Sequence, residues 1–191
     1  MDIDCSKRKD RKLLNCLTKY TIPEIDSIKI NNCGRYFELV RKFLNNSLPY
    51  EIYGLVINGD IVEEDKEFDE DSEQMIDSRR TIKGKPDNRF IEDLCEAIAV
   101  KVSTNVKVTS MELTSFQFCS IITAADNAET IIVINNRVGY EDYISFPYSN
   151  LLNIKKLYLY KNCLDERIPK IEKMLEEITS DQAPIIKMFI Q

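Results

Sequence analysis

The sequence predicts an α/β solenoid, in which short parallel strands stack in chain order and helices return along one side. Three observations predict it: one apolar template recurs along the chain, helical-period stripes lie between its copies, and the copies are spaced with near regularity. Each element can be justified in turn. Asp10 to Tyr20 carries Leu13, Leu14 and Leu17 at helical spacing and reads as a short amphipathic helix. Ile25, Ile28, Ile30 and Cys33 form the first alternation. Tyr36 to Leu44 follows as a helix with Phe37, Val40, Phe43 and Leu44 on one face, closed by Asn45, Asn46, Ser47 and Pro49. Ile52, Leu55, Ile57 and Asp60 repeat the alternation.

The composition then changes. Glu63 to Glu73 is mostly acidic, and Arg79, Arg80, Lys83 and Lys85 follow with Gly84 and Pro86. Such a block has too little apolar surface to order itself, so 61–88 is expected to be a charged, disordered loop. Asp87 or Asn88 is placed to cap a helix from Phe90 to about Val102, apolar at Phe90, Ile91, Leu94, Ile98 and Val102. Three further copies follow: Val108, Met111, Leu113, Phe116, Phe118; Ala128, Ile131, Val133, Asn136, Val138; and Ile154, Leu157, Leu159, Asn162, Leu164. A helix from about Glu166 to Thr179, with Pro169 in its first turn, leads to a last strand-like segment around Ile186 and Met188. The expected organisation is a helical cap (1–24), first repeats (25–60), the charged loop (61–88) and C-terminal repeats (89–191).

The shared template is apolar at positions 1, 4, 6 and usually 11, with Asn, Cys or Asp often at 9. It resembles the leucine-rich repeat, L-x-x-L-x-L-x-x-N/C-x-L, with Ile, Met and Val in place of many leucines. Ile154 to Leu164 matches fully and Ala128 to Val138 nearly so. The position-4 residues Ile28, Leu55, Met111, Ile131, Leu157 and Ile186 are 27, 56, 20, 26 and 29 residues apart. The longest gap holds the charged loop. Repeats of this length with helices resemble the ribonuclease-inhibitor-like branch of the family. The resemblance implies parallel strands with helices on the convex side, and a concave sheet that binds protein. A compact α/β or α+β domain whose strands share the alternation by chance is the competing reading, since any half-buried strand alternates.

Composition narrows the chemistry. The net charge of −6 argues against a general nucleic-acid or anionic-membrane binder, although local basic patches remain open. No stretch is long and apolar enough to span a bilayer. Met1 to Arg11 is polar and charged, so no secretory signal is expected, and the cytoplasm is the expected location. The six cysteines, none paired as C-x-x-C, are expected to be free and mostly buried. The chain has no histidine, which removes His-based acid–base and nucleophile chemistry and most zinc sites. It has neither a P-loop nor a dinucleotide-binding glycine run, and Asp69, Asp71 and Glu73 lack the glycine and glutamate of an EF-hand loop. No catalytic residue, metal or cofactor is therefore expected.

The expected function is a non-enzymatic protein-interaction module: an adaptor, scaffold or structural subunit of a larger assembly. An enzyme, or a nucleic-acid-binding α/β domain, with a His-free site is the alternative. In the family's geometry positions 5 and 7 face the concave surface. They give one row of Lys29, Val56, Glu112, Ile132, Tyr158 and Lys187, and a second of Asn31, Asn58, Thr114, Ile134, Tyr160 and Phe189. The apolar and aromatic members gather toward the C-terminus, so Ile132, Ile134, Tyr158, Tyr160 and Phe189 are the expected protein-binding residues. The C-terminal strand edge is a candidate for pairing with a second copy or a larger complex.

Overall fold

The computed structural model describes residues 1–22, 24–60, 85–134, 136–139, 156–158 and 185–187. Within them the chain is α/β with a parallel sheet. β1 (Asp2–Asp4), α1 (Arg8–Leu17), β2 (Ser27–Asn31), α2 (Phe37–Ser47), β3 (Ile52–Asn58), α3 (Asn88–Lys101) and β4 (Val102–Thr109) come first. They are followed by β5 (Glu112–Thr114), α4 (Ser115–Ala124), β6 (Thr130–Ile134), β7 (Arg137–Gly139), β8 (Lys156–Tyr158) and β9 (Ile185–Lys187). Seven strands form one sheet in the order β1-β2-β3-β4-β6-β8-β9, every neighbouring pair parallel, and β5 and β7 form a second, two-stranded parallel ladder.

The order follows from patterning and connection length. Each strand-to-strand link is long enough only for a crossover, so neighbours run parallel. Crossovers of one hand that always step in the same direction leave their helices on one face of the sheet. The alternation fits this: Ile28, Ile30, Leu55, Ile57, Val106, Val108, Ile131 and Val133 are buried toward the helices, while Ser27, Lys29 and Asn105 on the other face are exposed. The buried side chains of strands and helices make one apolar core, with Phe43, Leu44, Phe90, Leu94, Phe118 and Ile122 supplied by α2, α3 and α4.

Successive helices also pack on one another. The Phe37 and Phe90 rings lie 4.5 Å apart, centroid to centroid. Arg41 of α2 reaches Asp93 of α3 at 3.2 Å, and Gln117 Nε2 of α4 donates to Asn88 Oδ1 of α3 at 2.9 Å. α3 begins where a capping residue was expected: the Asp87 carboxylate accepts from Phe90 N at 2.7 Å.

Three sequence expectations shift. The segment read as a helical cap also supplies β1, whose Ile3 is fully buried and pairs with Ile30. The copy around Val108 is out of register: Leu55 pairs with Val106, and Val106 with Ile131, so Val106 rather than Met111 occupies position 4. Phe116 and Phe118, read as the end of that strand, belong to α4, which starts with a capping box between Thr114 and Gln117. Of the expected charged loop, residues 61–84 lie outside the described residues and Asn88 already belongs to α3; the expected helix from Glu166 to Thr179 and the segment Leu159 to Leu164 also lie outside them.

Where β3 ends, the backbone passes so close to its neighbour that only glycine fits. A Cβ on Gly59 would lie 2.1 Å from the Ser110 carbonyl oxygen, whereas one on Gly54 would meet nothing nearer than Ser27 Cβ at 3.4 Å. Gly59→Ala is expected to lower unfolding free energy by about 1–3 kcal/mol, the usual cost of forced overpacking. Gly54→Ala should leave stability unchanged or raise it slightly, through the unfolded chain. Urea midpoints of the two variants check the contrast, and a Gly59→Ala midpoint equal to that of the parent would refute it.

Candidate protein-binding face

The candidate site is the helix-free face of the seven-stranded sheet. The register aligns one row across it: Asp2, Lys29, Val56, Lys107, Ile132, Tyr158 and Lys187 occupy equivalent places on β1, β2, β3, β4, β6, β8 and β9. A second row runs through Asp4, Asn31, Asn58, Thr109 and Ile134. Lys107 and Thr109 therefore stand where Glu112 and Thr114 were expected. Those two residues lie on β5, in the two-stranded ladder.

The rows differ in character along the sheet. At the β1 end they are polar and tied across strands: Asn31 Nδ2 donates to Asp2 Oδ1 at 2.8 Å, and Lys29 Nζ lies 3.8 Å from Asp2 Oδ2. In the middle Val56, Lys107 and Ile132 are half-buried, and Gly54 at the foot of β3 is buried between Ser27 and Asn105. Ile132 and Tyr158 are brought side by side in the row. Ile134 is buried, at 9% exposure, so it does not present itself on the face. Tyr160 and Phe189 lie outside the described residues.

The turns after the strands give the face its shape. Cys33 N donates to Asn58 O at 3.2 Å, Gly59 N to Thr109 O at 2.9 Å, and Cys5 N to Asn31 O at 2.9 Å. At the next step a side chain takes over. Asn136 Oδ1 accepts from Met111 N at 3.0 Å, and its Nδ2 donates to Ile134 O at 3.0 Å and Val108 O at 3.3 Å. Asn136 is buried, so these bonds satisfy backbone groups that water does not reach. Asn32 and Ser110, equivalent residues of two turns, both adopt left-handed φ, at 54° and 58°.

Burial pushes the Cys5 and Cys95 thiols up to about 11 and Cys119 to about 12, and raises Cys33 further. All four are held as thiols rather than the thiolates that react. The described residues contain no cluster of three potential metal ligands and no helix long and apolar enough to cross a membrane. Comparison with protein-family models, with curated proteins and with solved structures finds no match to this chain.

Two outcomes test the supports of the face. Asn136→Ala strands Met111 N and two carbonyls in the interior, and is expected to cost roughly 2–3 kcal/mol in a urea titration. A loss below about 0.5 kcal/mol would show that water replaces the amide. At the β1 end, donation from Asn32 Nδ2, then from the Ser6 hydroxyl and N–H, with Lys7 beside it, holds Asp4 well below its ordinary value of 3.8. A carboxylate depressed in the folded state stabilises above its unfolded value, and that stability is lost as pH falls through the folded one. Asp4→Asn should therefore lower stability at neutral pH and flatten the acid limb of a pH–stability curve below about 3.8. Parallel curves for variant and parent would sink the assignment.

Proposed function

We propose that the chain is a leucine-rich-repeat-like solenoid of the ribonuclease-inhibitor-like kind, working as a non-enzymatic protein-interaction module. In this reading the sheet's helix-free face is concave, the helices are convex, and the module is an adaptor, scaffold or subunit of a larger assembly in the cytoplasm. The observation that carries it is the uninterrupted row Lys29, Val56, Lys107, Ile132 and Tyr158. These residues hold equivalent register positions on successive parallel strands, with no helix over that face among the described residues. Cys33 and Asn136 occupy the position where the family's template has Cys or Asn, and both tie the turn to the neighbouring strand. The protonated thiols and the lack of histidine fit a surface that recognises rather than reacts.

The partner is expected to rest its apolar anchor near Ile132 and Tyr158 and its polar rim over Lys29 and Asn31. Tyr160, Phe189 and the edge beyond β9 extend the same proposal toward the C-terminus, where a second copy is the simplest occupant. Photo-crosslinking residues introduced at Val56 and Ile132, and separately at the exposed helix-layer residues Glu92 and Glu96, test it. The expected result is a discrete cross-linked protein from the first pair only, lost on Ile132→Glu in a variant that still unfolds cooperatively. Equal cross-linking from both layers would overturn the reading.

A further inference from the structure

A second surface, remote from the helix-free face, carries a charge opposite to that of the chain as a whole. α1 is the first helix of its layer and packs sideways on α2. Its inner side is spoken for. Leu14 is buried, and Asp10, the one acidic residue of the helix, accepts from Asp4 N at 3.1 Å. Arg11 donates to the Cys5 and Ser6 carbonyls and lies over the Tyr36 ring at 4.8 Å. The opposite side is different: Arg8, Lys9, Lys12 and Lys19 are all exposed, with Cys16 among them. The spacing of Arg8, Lys12 and Cys16 sets them in one stripe along the helix, and Lys9 and Leu13 lie beside it. No carboxylate among the described residues pairs with Arg8, Lys9, Lys12 or Lys19, whereas the adjacent Lys7 is bridged to Asp4.

Two apolar side chains complete the surface. Leu13 is 48% exposed beside the stripe and Tyr20 is 68% exposed just past its end. Neither is needed by the core, which takes Leu14 and part of Leu17 from this helix. Arg8, Lys9 and Lys12 lie on the first turns of the helix, and Lys19 lies in the turn just past its end. The surface is convex, being the outside of one helix at the end of a layer. A narrow acidic peptide gains little on it, because nothing there flanks both sides of a strand or helix laid along it. A broad, flat anionic surface meets all four cations at once. A bilayer also offers Leu13 and Tyr20 the headgroup boundary, where an aliphatic tip and an amphipathic ring are stabilised.

We propose that the outward face of α1 is an electrostatic docking surface for an anionic lipid bilayer, held by Arg8, Lys9, Lys12 and Lys19 with Leu13 and Tyr20 at the headgroup level. The helix does not insert, because its own apolar stripe is already buried against the core. It adsorbs, so the contact is reversible and weakened by salt. It also leaves the helix-free face of the sheet open to a protein partner.

Flotation of the full chain with vesicles tests this, using phosphatidylcholine alone and phosphatidylcholine with about a third phosphatidylserine, at about 0.05 and 0.5 M salt. The expected result is co-flotation with the anionic vesicles at low salt, loss at high salt, and none with the neutral ones. The variant Arg8→Glu/Lys9→Glu/Lys12→Glu should weaken binding by about a hundredfold or more, on the usual contribution of each cation near such a surface. Its thermal unfolding should match that of the parent, since all three side chains are exposed. Arg89→Glu, an exposed cation at the start of α3, is the control and should bind as the parent does. Failure of the parent to float with anionic vesicles, or equal binding by the triple variant, overturns the proposal. Capture by poly-glutamate or a DNA duplex without vesicle binding also overturns it, assigning the face to a different class of partner.

Discussion

The fold depends on how the backbone is satisfied where each strand stops. A parallel strand leaves its sheet with N–H and C=O groups still inside the core, and each must find a partner there. The partner is always one strand further along: Cys5 N finds Asn31 O, Cys33 N finds Asn58 O, Gly59 N finds Thr109 O, and Met111 N finds Asn136 Oδ1. This chain of bonds fixes the distance between successive turns and therefore the register of successive strands. It also explains the unusual backbone nearby. Asn32 and Ser110 turn left-handed in corresponding places, and Gly59 gives up its side chain so that the Ser110 carbonyl can come close. Asn tolerates that conformation better than Ser, so the Ser110 turn stores a small strain that its neighbours hold in place.

The helix layer repeats the same neighbour-to-neighbour logic with side chains. Ser47 Oγ at the end of α2 donates to Leu17 O at the end of α1, and Ile22 N donates to Ser47 O, so one helix end is closed by the next. Arg41 and Asn45 both reach Asp93, and Gln117 reaches Asn88 while closing its own capping box. Each contact joins consecutive units and few skip one.

The parallel arrangement and most helices were legible because their apolar periods are long and unmixed. The register of the fourth main-sheet strand was not. Val106, Val108, Met111 and Leu113 offer two overlapping alternations, and the one centred on Met111 has an apolar residue, Val108, at position 1, where the one centred on Val106 has Ser103. The polar residue that should have settled the choice is missing, since Met111 itself sits at position 9. Its backbone N–H is served instead by Asn136, a residue of the next unit. A local template cannot see a hydrogen bond lent by a neighbour. β1 escaped notice for a simpler reason: three residues with one apolar side chain carry no periodicity, and the two flanking aspartates suit a sheet edge that must not pair further. α4 was hidden by Phe116 and Phe118, which alternate like a strand, although Thr114 and Gln117 three residues apart are a helix-start signal that outranks two aromatics.

The candidate surfaces were less legible than the fold, and the reason is arithmetic over the whole chain. A net charge of −6 is a sum in which the acidic run from Glu63 to Glu73 outweighs Arg8, Lys9, Lys12 and Lys19. Screening confines the influence of an exposed charge to about 8–10 Å, so what a partner meets is the local sum on one face and not the total. The sequence does hold the cluster from Lys7 to Lys12, but not the fact that Asp10 in its midst turns to Asp4 N and leaves the outer side uncompensated. The same holds for the sheet face. Ile132 and Ile134 are alike in the sequence, two residues apart in one strand, yet one is half-exposed and the other buried. Strand alternation assigns both to the same side. The two differ in place: Ile134 is the last residue of β6 and its carbonyl accepts from the buried Asn136, whereas Ile132 lies inside the strand.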